Sequence, residues 1–249
     1  MNFSRLFAGK RAYCTLSVML LFQTGLVDAA SKVSEPAFCN PAAFDEKEIQ
    51  IKPKAEEQDP ALFRAHGFRL GKVTLVGVGV GNSKAESLIE LSNKYSATSG
   101  KSKRYCTWYL NRPRGEGDTN RIKATETFIQ KDIPADPREV SAKEAESAFI
   151  KVLDPVFDRD AISFLSCAEE QKYLALGCNN MMHRGPTVFG MLLAFAGCKA
   201  EHALEITNQV WGLNGVPRKV RMAAIRKAYD LGNVRPATRK RLKDLFSTP

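Results

Sequence analysis

Eleven consecutive residues, Pro186 to Ala196, carry no charge at all (Pro-Thr-Val-Phe-Gly-Met-Leu-Leu-Ala-Phe-Ala). A helix on a protein surface needs a polar outer face, and this run has none to offer. As a helix it measures about 16 Å, roughly half the thickness of a bilayer core. The run therefore reads as a buried helix that the rest of the chain must pack around, not as a membrane span. Pro186 suits the first helical position, and Gly197 suits the left-handed residue that follows a last turn.

The surrounding stretch, Ser163 to Gly212, holds three of the six cysteines and two of the three histidines. A helix at about 167–176 is expected to stop at Gly177. A further helix opens at Cys198-Lys199-Ala200-Glu201, with Glu201 in the place of a capping-box acid.

The chain begins as an exported protein does. Arg5, Lys10 and Arg11 precede an apolar region from Thr15 to Val27, and Val27-Asp28-Ala29 supplies small residues at its exit. That is the tripartite pattern of a secretory signal over 1–29. Cleavage leaves about 220 residues and a secreted or periplasmic product. Cys39 follows Pro-Ala-Phe, which is not a lipoprotein cut site, so no lipid anchor is expected.

Export governs the cysteines. Cys14 leaves with the signal, and Cys39, Cys106, Cys167, Cys178 and Cys198 remain. In an oxidising compartment four of these five should pair. A helix over 167–176 would hold Cys167 and Cys178 roughly 16 Å apart, too far for a bridge. If that helix and 186–197 form an antiparallel hairpin, Cys167 meets Cys198. The expected pairs are therefore Cys167–Cys198 and Cys39–Cys106, with Cys178 left over.

Between these landmarks the pattern changes once. Residues 30–59 read as an arm broken by Pro36, Pro41 and Pro53. Residues 60–133 carry strand signals at 72–80, 104–110 and 122–129, with a helix at about 84–95. From 134 to 249 the pattern is helical. Ser141 and Glu144 make a capping box ahead of a run that Asp154-Pro155 ends. Further helices are expected at 158–165, 167–176, 186–197, 199–211, 217–231 and 236–246. The fold class is α+β: a small α/β N-terminal part, 60–133, followed by a disulfide-stapled helical C-terminal part, 134–249.

Motifs for specific chemistry fall short. Gly77-Val78-Gly79-Val80-Gly81 follows a strand, but its third glycine comes one residue too early for a dinucleotide fingerprint. Cys178-x4-His183 and Cys198-x3-His202 resemble metal-ligand pairs, but a helix of about 18 Å lies between them, so they cannot share one ion. No metal and no cofactor is expected. Cys178 beside His183 and Arg184 could form an activated thiol or an anion site. No orienting acid completes a catalytic set.

Charge is the informative signal. The chain is +10 overall, and the signal segment accounts for +2. Residues 217–244 contain ten basic residues against Asp230 and Asp244, a net +8, and the remainder cancels. The protein is thus a neutral body with a basic end. Arg218, Arg221, Arg239, Lys240, Arg241 and Lys243, with His183 and Arg184, are the candidate binding residues. The partner class is anionic: a polymer, a membrane surface or an acidic protein. Sequence-specific DNA binding is not expected of an exported chain. The expectation is a binding or envelope-associated protein, with a small secreted hydrolase using Cys178, His183 and Arg184 as the alternative.

Overall fold

In the computed structural model the described residues are 34–44, 48–50, 66–79, 106–109, 128–129, most of 141–150, 164–178, 184–211 and 218–248. From Glu35 onward they belong to one unit. The signal segment 1–29, the helix expected at 84–95, most of the 122–129 strand, most of the helix expected at 158–165 and His183 lie outside them. The class is α+β, with the helical part C-terminal.

Among the described residues the sheet has six strands: β1 (Glu48–Gln50), β2 (His66–Leu70), β3 (Val73–Gly79), β4 (Thr107–Tyr109), β5 (Phe128–Ile129) and β6 (Tyr173–Cys178). Their order is β1-β2-β3-β6-β4-β5. The first three are antiparallel. Strands β3, β6, β4 and β5 run parallel.

Strand β6 corrects the helix expected at 167–176. Its six residues, Tyr-Leu-Ala-Leu-Gly-Cys, are all buried. A parallel strand covered on both faces loses the alternation that marks a strand and becomes a short apolar run. The helix before it, α1 (Phe164–Gln171), gives way to the strand at Lys172. There φ is 53° and the amide donates to the Ala168 carbonyl. Gly177 is not a helix stop. It pairs with Val78 and Tyr109 inside the sheet.

Four more helices follow: α2 (Arg184–Ala196), α3 (Ala200–Trp211), α4 (Arg218–Val234) and α5 (Pro236–Phe246). Helix α2 is buried from Gly185 to Ala196. It closes on Gly197 at φ 125°. The Gly197 amide donates to Ala194 and the Cys198 amide to Leu193, so the last carbonyls are satisfied by a Schellman turn. Helix α4 packs closely on α2 through glycines. A Cβ on Gly232 would stand 2.5 Å from the Phe195 carbonyl oxygen, and one on Gly190 would stand 2.8 Å from Ile225 Cδ1.

The helices meet the sheet through aromatic rings. Phe68 of β2, Phe189 of α2 and Trp211 of α3 contact one another edge-on, with centroids 5.0–5.9 Å apart. The β2–β3 turn lies under the end of α5. Gly71 has φ 55°, and a Cβ there would come within 2.5 Å of the Phe246 backbone. The next amide, Lys72, donates to the Leu245 carbonyl. Ahead of α1, Ser141 and Glu144 form the expected capping box, each side chain accepting from the other's amide. The exposed Glu144 carboxyl lies below its ordinary range, chiefly because the Ser141 hydroxyl bonds to it.

The disulfides are Cys39–Cys198 and Cys106–Cys167, with Cα separations of 5.1 and 5.8 Å. Cys178 is unbridged and buried. The expected Cys167–Cys198 pair does not form, because α1 turns into β6 and never builds a hairpin with α2. One bridge instead staples α1 to the residue before β4. The other ties two 3-10 turns of the arm, Ala37–Cys39 and Pro41–Phe44, to the start of α3. Among the described residues no helix is long and apolar enough to cross a membrane.

Candidate functional site

Helix α4 buries Val220, Arg221, Met222, Ala224, Ile225, Ala228 and Gly232. The 221, 224/225, 228 and 232 positions share one face by helical spacing, and that face meets α2. Arg221 falls on this stripe, which corrects its place among the surface cations. It is 4 % exposed, and its Nη1 donates to Asn208 Oδ1 of α3. Burial, helped by nearby Arg218, lowers its pKa. The cations that do face outward on α4 are Arg218, Lys219, Arg226 and Lys227.

Helix α5 opens on Pro236 and turns Leu242, Leu245 and Phe246 inward. Three of its cations are engaged, each in a different way. Arg239 stacks 4.9 Å from the Tyr229 ring centroid and donates to Asn233. It also lies against Gly197, where an added Cβ would stand 3.3 Å from Nη2. Arg241 grips Glu169 of α1 with two nitrogens at 3.0 and 2.5 Å, and reaches Ser166 at 3.3 Å. The fork raises the Arg241 pKa. Lys240 pairs with Asp244 one turn on, at 2.6 Å. On α4, Arg226 pairs with Glu201 at 2.9 Å. The Glu201 carboxyl also accepts from its own amide in the first turn of α3, while the Cys198 amide that a capping box would offer it donates to Leu193.

No family model, no curated protein and no solved structure matches this chain. What the site can do has to come from its own chemistry.

Glu169 and Glu201 come from outside the stretch, and together they lower its +8 to +6. Arg218, Lys219, Lys227 and Lys243 have no carboxylate within ion-pair distance among the described residues. One cation was not legible from the helical pattern. Lys72, on the β2–β3 turn, joins Lys240 and Lys243 around Asp244. The Lys240 hydrogen bond, and then the charges of Lys240, Lys72 and Lys243, hold that exposed carboxyl below its ordinary range. Three ammonium charges thus act on one acid, and the fold draws the third from a turn more than 160 residues away in sequence.

The Cys178, His183 and Arg184 group is placed only in part. Cys178 ends β6 opposite Gly79 of β3 and is 3 % exposed. Arg184 begins α2, half-buried. His183 lies outside the described residues, as does Gly81 of the glycine run. Gly77 and Gly79 are strand residues paired with β6.

Proposed function

We propose that the mature protein is an exported binding module that holds an anionic partner on the basic face of α4 and α5, extended by Lys72. The observation that carries this reading is the division of the cations. Arg221, Arg226, Arg239, Lys240 and Arg241 serve the fold or pair with acids, and half-buried Lys243 acts on Asp244, whereas Arg218, Lys219 and Lys227 stand exposed with no carboxylate within ion-pair distance among the described residues. Like charges held this way repel one another and add nothing to folding, so an external anion is the partner that fits them. The two disulfides are compatible with export, and a secreted or periplasmic location belongs to the proposal. The ligand class is an anionic polymer, an anionic membrane surface or an acidic protein, without sequence-specific reading of DNA.

A salt series tests it. Replacing Arg218, Lys219 and Lys227 with Gln removes three exposed charges that no acid among the described residues pairs with. Binding to an anionic polymer column and to anionic vesicles should weaken, and the log–log salt slope should fall by about 2.5 for three lost contacts. An unchanged slope for both supports removes this face as the interaction surface. The alternative, a hydrolase using Cys178, His183 and Arg184, needs an accessible sulfur. A 3 % exposed Cys178 favours a core thiol. Alkylation of the folded protein should leave Cys178 unmodified and binding intact.

A further inference from the structure

The disulfide that ties the arm to α3 is flanked by a second layer of donors. Glu35 lies four residues before Cys39, and His202 lies four residues after Cys198. The Glu35 carboxylate accepts from the Lys199 amide at 2.6 Å and has both oxygens 3.0 Å from His202 Nδ1. A carboxylate oxygen of Glu35 and the two sulfurs lie within 4.8 Å of one another. Three donors, Glu35, Cys39 and Cys198, thus come together from segments far apart in the chain, and His202 joins them through its contact with Glu35.

We infer that Glu35, Cys39, Cys198 and His202 form a binding site for a zinc-type divalent cation when the Cys39–Cys198 disulfide is reduced. Two thiolates, an imidazole nitrogen and a carboxylate oxygen are donors that tetrahedral zinc accepts. Zinc–sulfur bonds of about 2.3 Å place two thiolates roughly 3.8 Å apart in a tetrahedron. The sulfurs therefore separate by a small rotation of each side chain, without moving the arm away. A dithiol reductant supplies the two electrons and two protons that turn the disulfide into two thiols, and becomes a disulfide itself. The cation then displaces both thiol protons. His202 is 39 % exposed and leaves a way in. The Lys199 ammonium stands 3.9 Å from Glu35 but is 67 % exposed, so it can swing out as the cation enters. The arm is then anchored to α3 in both redox states, covalently in one and by the metal in the other. The unbridged Cys178 and the Cys106–Cys167 pair take no part.

The test uses the full chain carrying Cys178→Ser, reduced with a phosphine under nitrogen and titrated with cobalt(II). One equivalent should produce thiolate-to-cobalt charge-transfer absorption and tetrahedral ligand-field bands, and zinc(II) should bleach both. The oxidised protein should show neither. Glu35→Gln and His202→Gln keep the disulfide partners and should each weaken cobalt binding at least tenfold. Cys39→Ser should abolish the charge-transfer band, and Cys106→Ser should leave it. Absence of the band in reduced protein overturns the inference. So does a band that survives Cys39→Ser, or one indifferent to both Glu35→Gln and His202→Gln, as cobalt on an unfolded reduced chain would be.

Discussion

Gly232→Ala tests the packing at the centre of the molecule, because two effects of similar size oppose each other there. In an exposed helix interior this substitution stabilises by about 1 kcal/mol, since glycine is the poorer helix former. Here the new Cβ would stand 2.5 Å from the Phe195 carbonyl oxygen and 3.3 Å from two more backbone atoms of that residue. Reaching ordinary contact at about 3.4 Å requires a displacement of roughly 0.9 Å, and the obstacle is main chain that cannot change rotamer. Helix α2 cannot recede, for it is buried from Gly185 to Ala196. Overpacking of this kind costs about 1–3 kcal/mol, and a rigid neighbour places it at the upper end. The net expectation is a loss of about 2 kcal/mol, or a Tm lower by roughly 4–8 °C in a chain of this size. Gly190→Ala supplies the contrast. Its Cβ meets the end of the Ile225 side chain at 2.8 Å and Thr207 Cγ2 at 3.2 Å, and the isoleucine can turn aside. Urea unfolding with the disulfides intact should rank the proteins parent, Gly190→Ala, Gly232→Ala in falling midpoint, with unchanged m-values. A Gly232→Ala protein at least as stable as the parent would mean that α2 and α4 do not approach this closely.

Lys172→Gly should stabilise by about 0.5–1 kcal/mol, because a non-glycine residue at φ 53° carries a steric penalty that glycine lacks. A lower urea midpoint would refute this. Cys39→Ala/Cys198→Ala should cost more than Cys106→Ala/Cys167→Ala, since the bridged separations are 159 and 61 residues. Chain entropy sets the difference at about 0.8 kcal/mol, and the reverse order by calorimetry would contradict it. The Glu201 carboxyl is depressed chiefly by its hydrogen bond from Arg226. A group depressed in the folded state contributes stability above its unfolded pKa, near 4.3, and loses it as the pH falls through the folded value. Arg226→Gln should therefore narrow the gap in stability between neutral pH and about pH 3. An identical acid profile for parent and variant would show that the pair contributes nothing.

How much of this was legible depended on whether the signal was local. Helices 186–197, 199–211, 217–231 and 236–246 were readable because apolar periodicity, Pro236 and Gly197 are local marks, and each boundary falls within three residues of the observed one. Strand β6 was not, because burial on both faces erases the period that tells a strand from a helix. That single error carried the cysteine pairing with it, since the expected hairpin depended on a helix at 167–176. Arg221 was misplaced because residue type was allowed to outweigh its position on the α4 stripe. Lys72 and Glu35 could not have been assigned at all, as their partners lie more than a hundred residues away and only the fold brings them together.

The late arrival of β6 also has a temporal meaning. Strands β3 and β4 have no partner between them until residue 178 has been made, so the sheet waits on the last third of the chain, and contacts this distant in sequence form slowly. In an oxidising compartment entered N-terminus first, Cys39 and Cys106 emerge before either native partner. The first bridge open to the chain is therefore Cys39–Cys106, which the native fold does not contain. Reaching Cys39–Cys198 and Cys106–Cys167 then requires exchange once Cys167 and Cys198 have arrived. If the proposed export holds, the native yield should rise with the thiol–disulfide isomerase activity of the surroundings.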